Sequence, residues 1–412
     1  MRTPTLAKSG LAAWYPIIGL AFAAFVFNTS EFLPVGLLPD IAESLHETVP
    51  FTGLILTGYA FVVALMSLPL TILTAKLERR KLLLALLIIF SLSHFVVLWV
   101  QTFELLFAAR VLVALTHSIF WSIMTPLAAR VAPRGKRAVG LAAVMGGTIV
   151  ATVLGVPIGT KLGHLFGWQE SFFIIGLAAM TVLVIIFLSL PECVSNRAGS
   201  FKSLPVIFKR PALVQLYLLT VVTVLGQFTA YSYISPIVST AGGWTNSDIV
   251  IVLFLFGIAG IVGTVIGAKI VDKHRVASVV TPMILVAASL FLLVWACKHF
   301  MVLSVVVVVW GAAMTCICLA FQTLLLNAAP DCADVATSLY SGIFNVGIGG
   351  GAFIGSRVSE HFGFLPVSYV AASLVCVSLV GLALVWLKTG SPLFTYVPEH
   401  KDDEHHDRQA NA

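Results

Sequence analysis

Twelve apolar stretches of about 20 residues each, separated by short polar connections, leave this chain few ways to fold. They fall at 14–38, 52–74, 82–100, 105–127, 139–162, 171–190, 213–238, 249–270, 277–297, 301–326, 336–356 and 366–387. A helix rising 1.5 Å per residue crosses a hydrocarbon layer of about 30 Å in that length, and it satisfies its own backbone while doing so. Across all 412 residues 59% are hydrophobic and only 10% charged, a balance that excludes a soluble globular chain. The expectation is an all-α polytopic membrane protein with twelve transmembrane helices. Arg2 and Lys8 before the first run imitate a signal peptide, but the run is longer than an h-region, so it reads as a retained first helix.

The net charge of +6 is distributed by topology and implies no nucleic-acid partner. Alternate connections carry Arg2 and Lys8; Lys76, Arg79, Arg80 and Lys81; Arg130, Arg134, Lys136 and Arg137; Arg197, Lys202, Lys209 and Arg210; Lys269, Lys273 and Arg275; and Lys388, Lys401 and Arg408. The opposite connections hold Lys161, Lys298 and Arg357 among Asp40, Glu43, Glu47, Glu104, Glu170 and Asp248. The positive-inside rule then puts both termini in the cytoplasm.

The chain also repeats itself. GTKLGHLFGW, from Gly159 to Trp168, aligns without gaps on GSRVSEHFGF, from Gly355 to Phe364, which places the end of the fifth span on the end of the eleventh. Such a six-plus-six parallel repeat predicts two six-helix halves, residues 1–190 and 212–388, with a cytoplasmic linker at 191–211 and a disordered tail at 389–412. The substrate site is expected between the halves near mid-membrane.

Glu31 lies inside the first span, where a carboxylate is costly and therefore paired, hydrated or functional. Pro34 cannot donate to the carbonyl of Ser30, which leaves a polar acceptor beside it. Arg110, in the fourth span, sits at a matched depth of roughly 10 Å, and opposite charges in a poor dielectric are expected to face each other or a shared cavity. A fixed ion pair and a proton-exchanging acid are the two readings of Glu31. Arg110, His117 and Trp121 share one helical stripe, and His117 is a candidate relay, whereas His94 reads as a packing residue.

The second half offers neutral stripes: Thr220, Thr223, Gln227 and Tyr231 on the seventh span, Trp310 and Gln322 on the tenth, Ser341, Phe344 and Asn345 on the eleventh. Amides, hydroxyls and rings suit a neutral polyhydroxyl or amphipathic solute. Asn28, Trp121, Gln227, Tyr231, Gln322 and Asn345 are the substrate candidates. Small residues recur every four positions from Gly147 to Gly163 and again at Gly347, Gly351 and Gly355, a pattern for close packing and for a seam that slides between halves. At the cytoplasmic mouth Arg134, Lys136 and Arg137 oppose Asp331 and Asp334, a charge pattern that would hold a gate shut. The scattered cysteines form neither a disulfide framework nor a metal site, and His405 and His406 belong to a solvated tail. No metal and no cofactor is expected.

The stretches FNTSEFLPVGLLPDIA, YAFVVALMSLP, ERRKLLL, HSIFWSI, APRGKRA, VLGVPIG, SLPVIFKRPALVQLYLLTVV, TAYSYISP and SGIFNVGIGGGAFIG together resemble the major facilitator superfamily, more narrowly its drug:proton antiporter family and, within that, bacterial sugar efflux transporters. The resemblance implies proton-driven export of sugars or sugar-like solutes across the bacterial inner membrane. It makes VLGVPIG, with Gly155, Pro157 and Gly159, the antiporter motif, and Arg110 the basic residue of the fourth helix. The family's loop signature reads here as Thr71, Ala75, Lys76, Glu78, Arg79 and Arg80, without its acid and its glycines; Arg79 and Arg80 keep the basic cluster. The resulting expectation is a monomeric, proton-coupled exporter of a small neutral solute, with Glu31, Arg110 and His117 for coupling. A multidrug:proton antiporter of the same fold and a non-transporting membrane sensor are the alternatives. An enzyme is not expected, since no cluster of catalytic groups stands at either surface.

Overall fold

The computed structural model describes residues 13–133, 136–193, 204–271, 273–329, 333–390 and 392–395. The gate residues Arg134 and Asp331, the side chains of Arg137 and Asp334, and the tail histidines lie outside the described residues. Twelve long helices follow in order: α1 Tyr15–Ser44, α2 Leu54–Leu73, α3 Arg79–Val96, α4 Phe103–Val131, α5 in three consecutive segments (Arg137–Val150, Ala151–Gly155 and Val156–Phe166) and α6 Trp168–Ser189. The second set is α7 Pro211–Tyr231, α8 Asn246–Ile270, α9 Arg275–Ala296, α10 Phe300–Ala328, α11 Ala333–Phe362 and α12 Leu365–Thr389. A short helix, Leu204–Phe208, lies in the expected linker, where Arg210 donates to the Ala328 carbonyl at 3.0 Å.

Eleven of these helices are long and apolar enough to cross a membrane. The twelfth, α11, dilutes its apolar residues with Ser338, Ser341, Asn345, Ser356 and a run of glycines. The reason is its surroundings: α11 packs against α7 on one side and α2 on another, so it meets protein where other spans meet lipid. The opposite case is α12, whose apolar stretch is only 28% buried, whereas α1 and α7 are buried over 67% and 72% of theirs. The two innermost helices therefore hold equivalent places in the two halves.

The glycine ladders have partners within each half. A Cβ on Gly155, Gly159 or Gly163 would meet Thr29, Leu33 or Leu37, and one on Gly147 would meet the Ala21 carbonyl, so α5 lies on α1 in one constant register with a step of four residues. Gly347, Gly351 and Gly355 repeat the arrangement against Val224, Leu225 and Thr229 of α7. This corrects the expectation of a glycine seam between halves: small residues are needed where backbones touch, and the closest backbones here belong to one half. Both ladders end alike, on Gly167 (φ 117°) and Gly363 (φ 80°), the paired glycines of the sequence repeat, in a conformation that L side chains rarely adopt. Pro157, lacking an N–H, stands two residues after a π-helical turn at Ala151–Gly155, at the start of the segment Val156–Phe166, where a proline leaves no α-helical bond broken.

The halves meet along two antiparallel pairs. Gly349 of α11 abuts Thr57 of α2 and Gly342 abuts Ala64, a step of seven residues on each helix in opposite directions, and Ser356, seven residues further on, donates at 2.7 Å to the carbonyl of Pro50 in the short helix Val49–Thr52 just ahead of α2. On α5 and α8, Gly257 rests on the backbone of Thr152 and Val153, with a would-be Cβ 2.6 Å from each. Beyond Val153, α8 follows Val156–Phe166 and hardly touches Arg137–Val150. Ser235, just after α7, donates to the Val35 carbonyl of α1 at 3.0 Å, and the Tyr233 hydroxyl fills the space beside Gly53. These contacts run from the middle of the spans toward the end of the bundle opposite to the one where α1 begins and α12 ends.

Candidate functional site

Glu31 and Arg110 come together in one buried cluster, exposed 7% and 2%, but the guanidinium does not rest on the carboxylate. Instead Arg110 Nη1 donates to Ser30 Oγ at 3.1 Å, while Nε and Nη2 have no hydrogen-bond partner among the described residues. The flat face of the guanidinium lies over the Tyr59 ring at 4.5 Å and the Phe172 ring at 5.6 Å. The Glu31 carboxylate lies 3.8 Å from His117 Nε2, close enough for charge to be felt and too far for a hydrogen bond. His117 Nδ1 is 2.8 Å from the Tyr59 hydroxyl. Tyr59 thus spans the cluster, its ring under Arg110 and its oxygen on His117.

His94, expected as a packing residue, joins α3 to α1. Its Nδ1 is 2.8 Å from the Phe90 carbonyl, which only accepts, so Nδ1 carries the proton and Nε2 is the acceptor for the Ser30 hydroxyl at 2.8 Å. One turn before Glu31, Phe27 stacks on Phe120 with centroids 4.0 Å apart and meets Phe90 at 4.3 Å, which closes that side with rings. Four helices therefore supply the cluster's polar groups: α1 with Ser30 and Glu31, α2 with Tyr59, α3 with His94, α4 with Arg110 and His117. α1 stays helical through Pro34 and Pro39, so the Ser30 carbonyl lacks its usual donor right beside the acid.

In the second half Trp310 Nε1 donates to Gln227 Oε1 at 2.5 Å, and both residues are buried. Tyr231 sits against Phe256 with centroids 4.8 Å apart and edge-on to Trp310 at 6.2 Å. Asn345 donates to the Ser341 carbonyl at 3.0 Å and keeps Oδ1 buried with no hydrogen-bond partner among the described residues. Thr220 and Thr223 turn away from this group, to the Leu216 carbonyl and to Ser378 of α12. Gln322 is exposed on α10, about 120° around the helix from Trp310. Asn28 donates weakly to the Thr148 carbonyl at 3.4 Å, and Trp121 packs edge-on against Phe120, half-buried.

Phe32 joins the two groups. It follows Glu31 directly, stacks on Phe228 at 5.9 Å and meets Tyr231 edge-on at 6.3 Å, so successive residues of α1 face the charged cluster and the aromatic one. Sequence reasoning missed Ser30, Tyr59 and Phe32. The adjacent Ser30–Glu31–Phe32 triplet held the signal, because consecutive helical residues point about 100° apart and a central helix is met on every side. Arg79 and Arg80 serve their own half: Arg79 reaches the Thr74 and Ala75 carbonyls, and Arg80 the Phe187 carbonyl of α6 at 2.5 Å. Lys136 is exposed.

Among solved structures, a bacterial homologue of the human lysosomal transporter Spinster, in its inward-facing and unoccupied conformation, is similar over 94% of this chain and 98% of its own, with TM-score 0.71 and 15% identity. The same homologue in its inward-facing and occupied conformation gives a TM-score of 0.69 at 15% identity, over 94% of this chain and 97% of its own. The human organic anion transporter MFSD10 (TETRAN) covers 90% of this chain and 98% of its own, with TM-score 0.67 and 17% identity. At these identities the likeness is one of fold. The family model of the Major Facilitator Superfamily matches residues 20–334, most of the chain. The bundle of twelve helices, its repeated halves and that match agree: the chain is a transporter rather than an enzyme, and it belongs to the Major Facilitator Superfamily.

Proposed function

We propose that this transporter exports sugars or sugar-like neutral solutes in exchange for protons, by alternating access across a bacterial inner membrane with both termini cytoplasmic. The carrying observation is Glu31: a buried carboxyl with no hydrogen bond among the described residues, 3.8 Å from His117 in the cluster that holds Tyr59 and Arg110, on a helix whose next residue touches the opposite half. An acid held this loosely can gain or lose a proton as its surroundings become wet or dry. Arg110 supplies the standing positive charge and His117 the relay, while Gln227, Tyr231 and Asn345 are the solute contacts. Their amides and rings support a neutral ligand, since no charged side chain joins them among the described residues.

The inter-half contacts support a cycle in which the pairs α2–α11 and α5–α8 close the side opposite the termini and release it in turn. One elementary charge crossing 100 mV releases about 2.3 kcal/mol, enough to drive modest accumulation before a pH gradient adds to it. The test is solute accumulation in inverted vesicles under an imposed pH gradient, across a panel of sugars. Glu31→Gln is expected to abolish uphill export and to keep solute exchange; pH-driven export undiminished in that variant would refute the role of Glu31. A multidrug exporter is favoured by one observation, the rings of Phe32, Phe228, Tyr231, Phe256 and Trp310 gathered at the solute site. Lipophilic cations transported in place of sugars would decide for it.

A further inference from the structure

The unpartnered edge of Arg110 is the one feature of the cluster that the scheme above leaves idle. A guanidinium presents Nε and Nη2 as a parallel pair of donors, the edge that takes a carboxylate by two hydrogen bonds. Here that edge is buried and bonded to nothing among the described residues. The remaining nitrogen, Nη1, is spoken for. Ser30 Oγ gives its only proton to His94 Nε2, because Nδ1 of that ring is already committed to the Phe90 carbonyl, and so the hydroxyl can only accept from Arg110. The order of these bonds runs one way, from Arg110 to Ser30 to His94 to the α3 backbone, and it sets where the guanidinium lies.

The geometry points to Ser30 and His94 as positioning residues that park Arg110 with its Nε–Nη2 edge open, and to that edge as a second seat for the Glu31 carboxylate. The first seat, beside His117, holds the carboxylate at 3.8 Å with no hydrogen bond among the described residues. Glu31 is the chain neighbour of Ser30, so the second seat is a change of side-chain rotamer away and requires no sliding of α1. Tyr59 lies across both seats, with its ring under the guanidinium and its hydroxyl on His117. The titratable and charged groups of the cluster around Ser30 and Glu31 are thus Tyr59 from α2, His94 from α3, and Arg110 and His117 from α4; α6 contributes the uncharged ring of Phe172, against Arg110 and His94. The use of the two seats in transport rests on the coupling role proposed for Glu31, whereas the parking of Arg110 does not.

Infrared difference spectra of the full-length protein in lipid nanodiscs test this, with Glu31→Gln subtracted to isolate the bands of that carboxyl. Ser30→Ala and His94→Phe break the chain of bonds; Ser30→Thr and His94→Gln preserve its hydroxyl and its acceptor. The expected result is a Glu31 carboxylate band at the arginine-paired position in the first two variants and at the unpaired position in the wild type and the conservative pair. A thermal melt gives the second arm: Ser30→Ala lowers the melting temperature more in the Glu31→Gln background than in the wild type, where the carboxylate takes over as partner of Arg110. Identical bands in all variants, or equal losses of melting temperature in both backgrounds, overturn the parking role. Bands that move as expected in a protein whose Glu31→Gln variant still exports against the gradient would sink the coupling reading and leave the parking role standing.

Discussion

The two halves of the molecule share a fold and divide the polar chemistry. The first buries an acid, a guanidinium, two imidazoles and a phenol around α1, and two guanidinium donors find no hydrogen-bond partner among the described residues. The second buries an amide bonded to an indole inside a set of rings, and no charge joins it among the described residues. Buried charge is expensive and sensitive to water, whereas a neutral amide costs little once its bond is made. The difference teaches that duplication preserved the packing, in the matched ladders of α5 on α1 and α11 on α7, while the polar residues diverged into a charged cluster in one half and a neutral one in the other.

The largest test of that division is Arg110→Leu. Hydrogen bonds to a charged group contribute about 1.5–3 kcal/mol, so losing the hub of the first cluster should lower the maximal rate of pH-driven export about 10- to 100-fold. The half-saturating solute concentration should stay near the wild-type value, read from initial rates in inverted vesicles. In the second half, Trp310→Phe removes the donor from Gln227 and leaves a buried acceptor unsatisfied, at about 1–3 kcal/mol. There the expected change is a rise of roughly tenfold in half-saturating concentration, with the maximal rate little altered. The opposite pattern in either variant would break the assignment of charge to one half and solute to the other.

Packing gives a finer contrast. Gly159→Val pushes into the Leu33 side chain within the first half, an overpacking cost of about 1–3 kcal/mol that a thermal melt should report. Gly257→Val instead meets the backbone of Thr152 and Val153 across the halves. It should leave the melt closer to wild type and shift the distance between spin labels on the two halves, at the end opposite the termini, toward the open population. Equal effects on both readouts would mean that the α5–α8 contact is ordinary core.

Hydropathy made the spans legible because lipid imposes one requirement on every helix it touches, and α11 shows the limit of the rule: a span packed between α7 and α2, with a narrow apolar face at Val346 and Phe353 left exposed, is largely excused from it. The ladder spacing was legible too, but its partner was not, since a step of four residues says that something approaches closely and nothing about which helix it is. Glu31, Arg110 and His117 stood out as charges in apolar runs. Tyr59 did not, because a tyrosine in a span is as much at home at an interface as in a network. Ser30 was hidden for a related reason: serines in helices ordinarily bond the carbonyl one turn back, as Ser67 and Ser93 do here, and only the neighbouring imidazole reveals the exception.

The smallest effect separates the halves at the connections between their second and third helices. Glu78 caps α3, accepting from the backbone N–H of Arg80 at 2.9 Å and Lys81 at 2.8 Å, and it also accepts from the N–H of Cys193 beyond α6 at 2.6 Å. Its counterpart ahead of α9, His274, makes no such cap. Burial works against the Glu78 charge, but those three bonds and the charge of Lys81 outweigh it and hold the carboxyl below its usual 4.5. A depressed folded value stabilises the ionised form, so this contribution is complete above pH 4.5 and fades as the pH falls through the lower folded value. Glu78→Gln should therefore cost about 1 kcal/mol at neutral pH, seen as a lower melting temperature, and the gap to wild type should narrow in acid. His274→Ala should leave the melting temperature at neutral pH near the wild-type value, because its side chain makes no cap on α9.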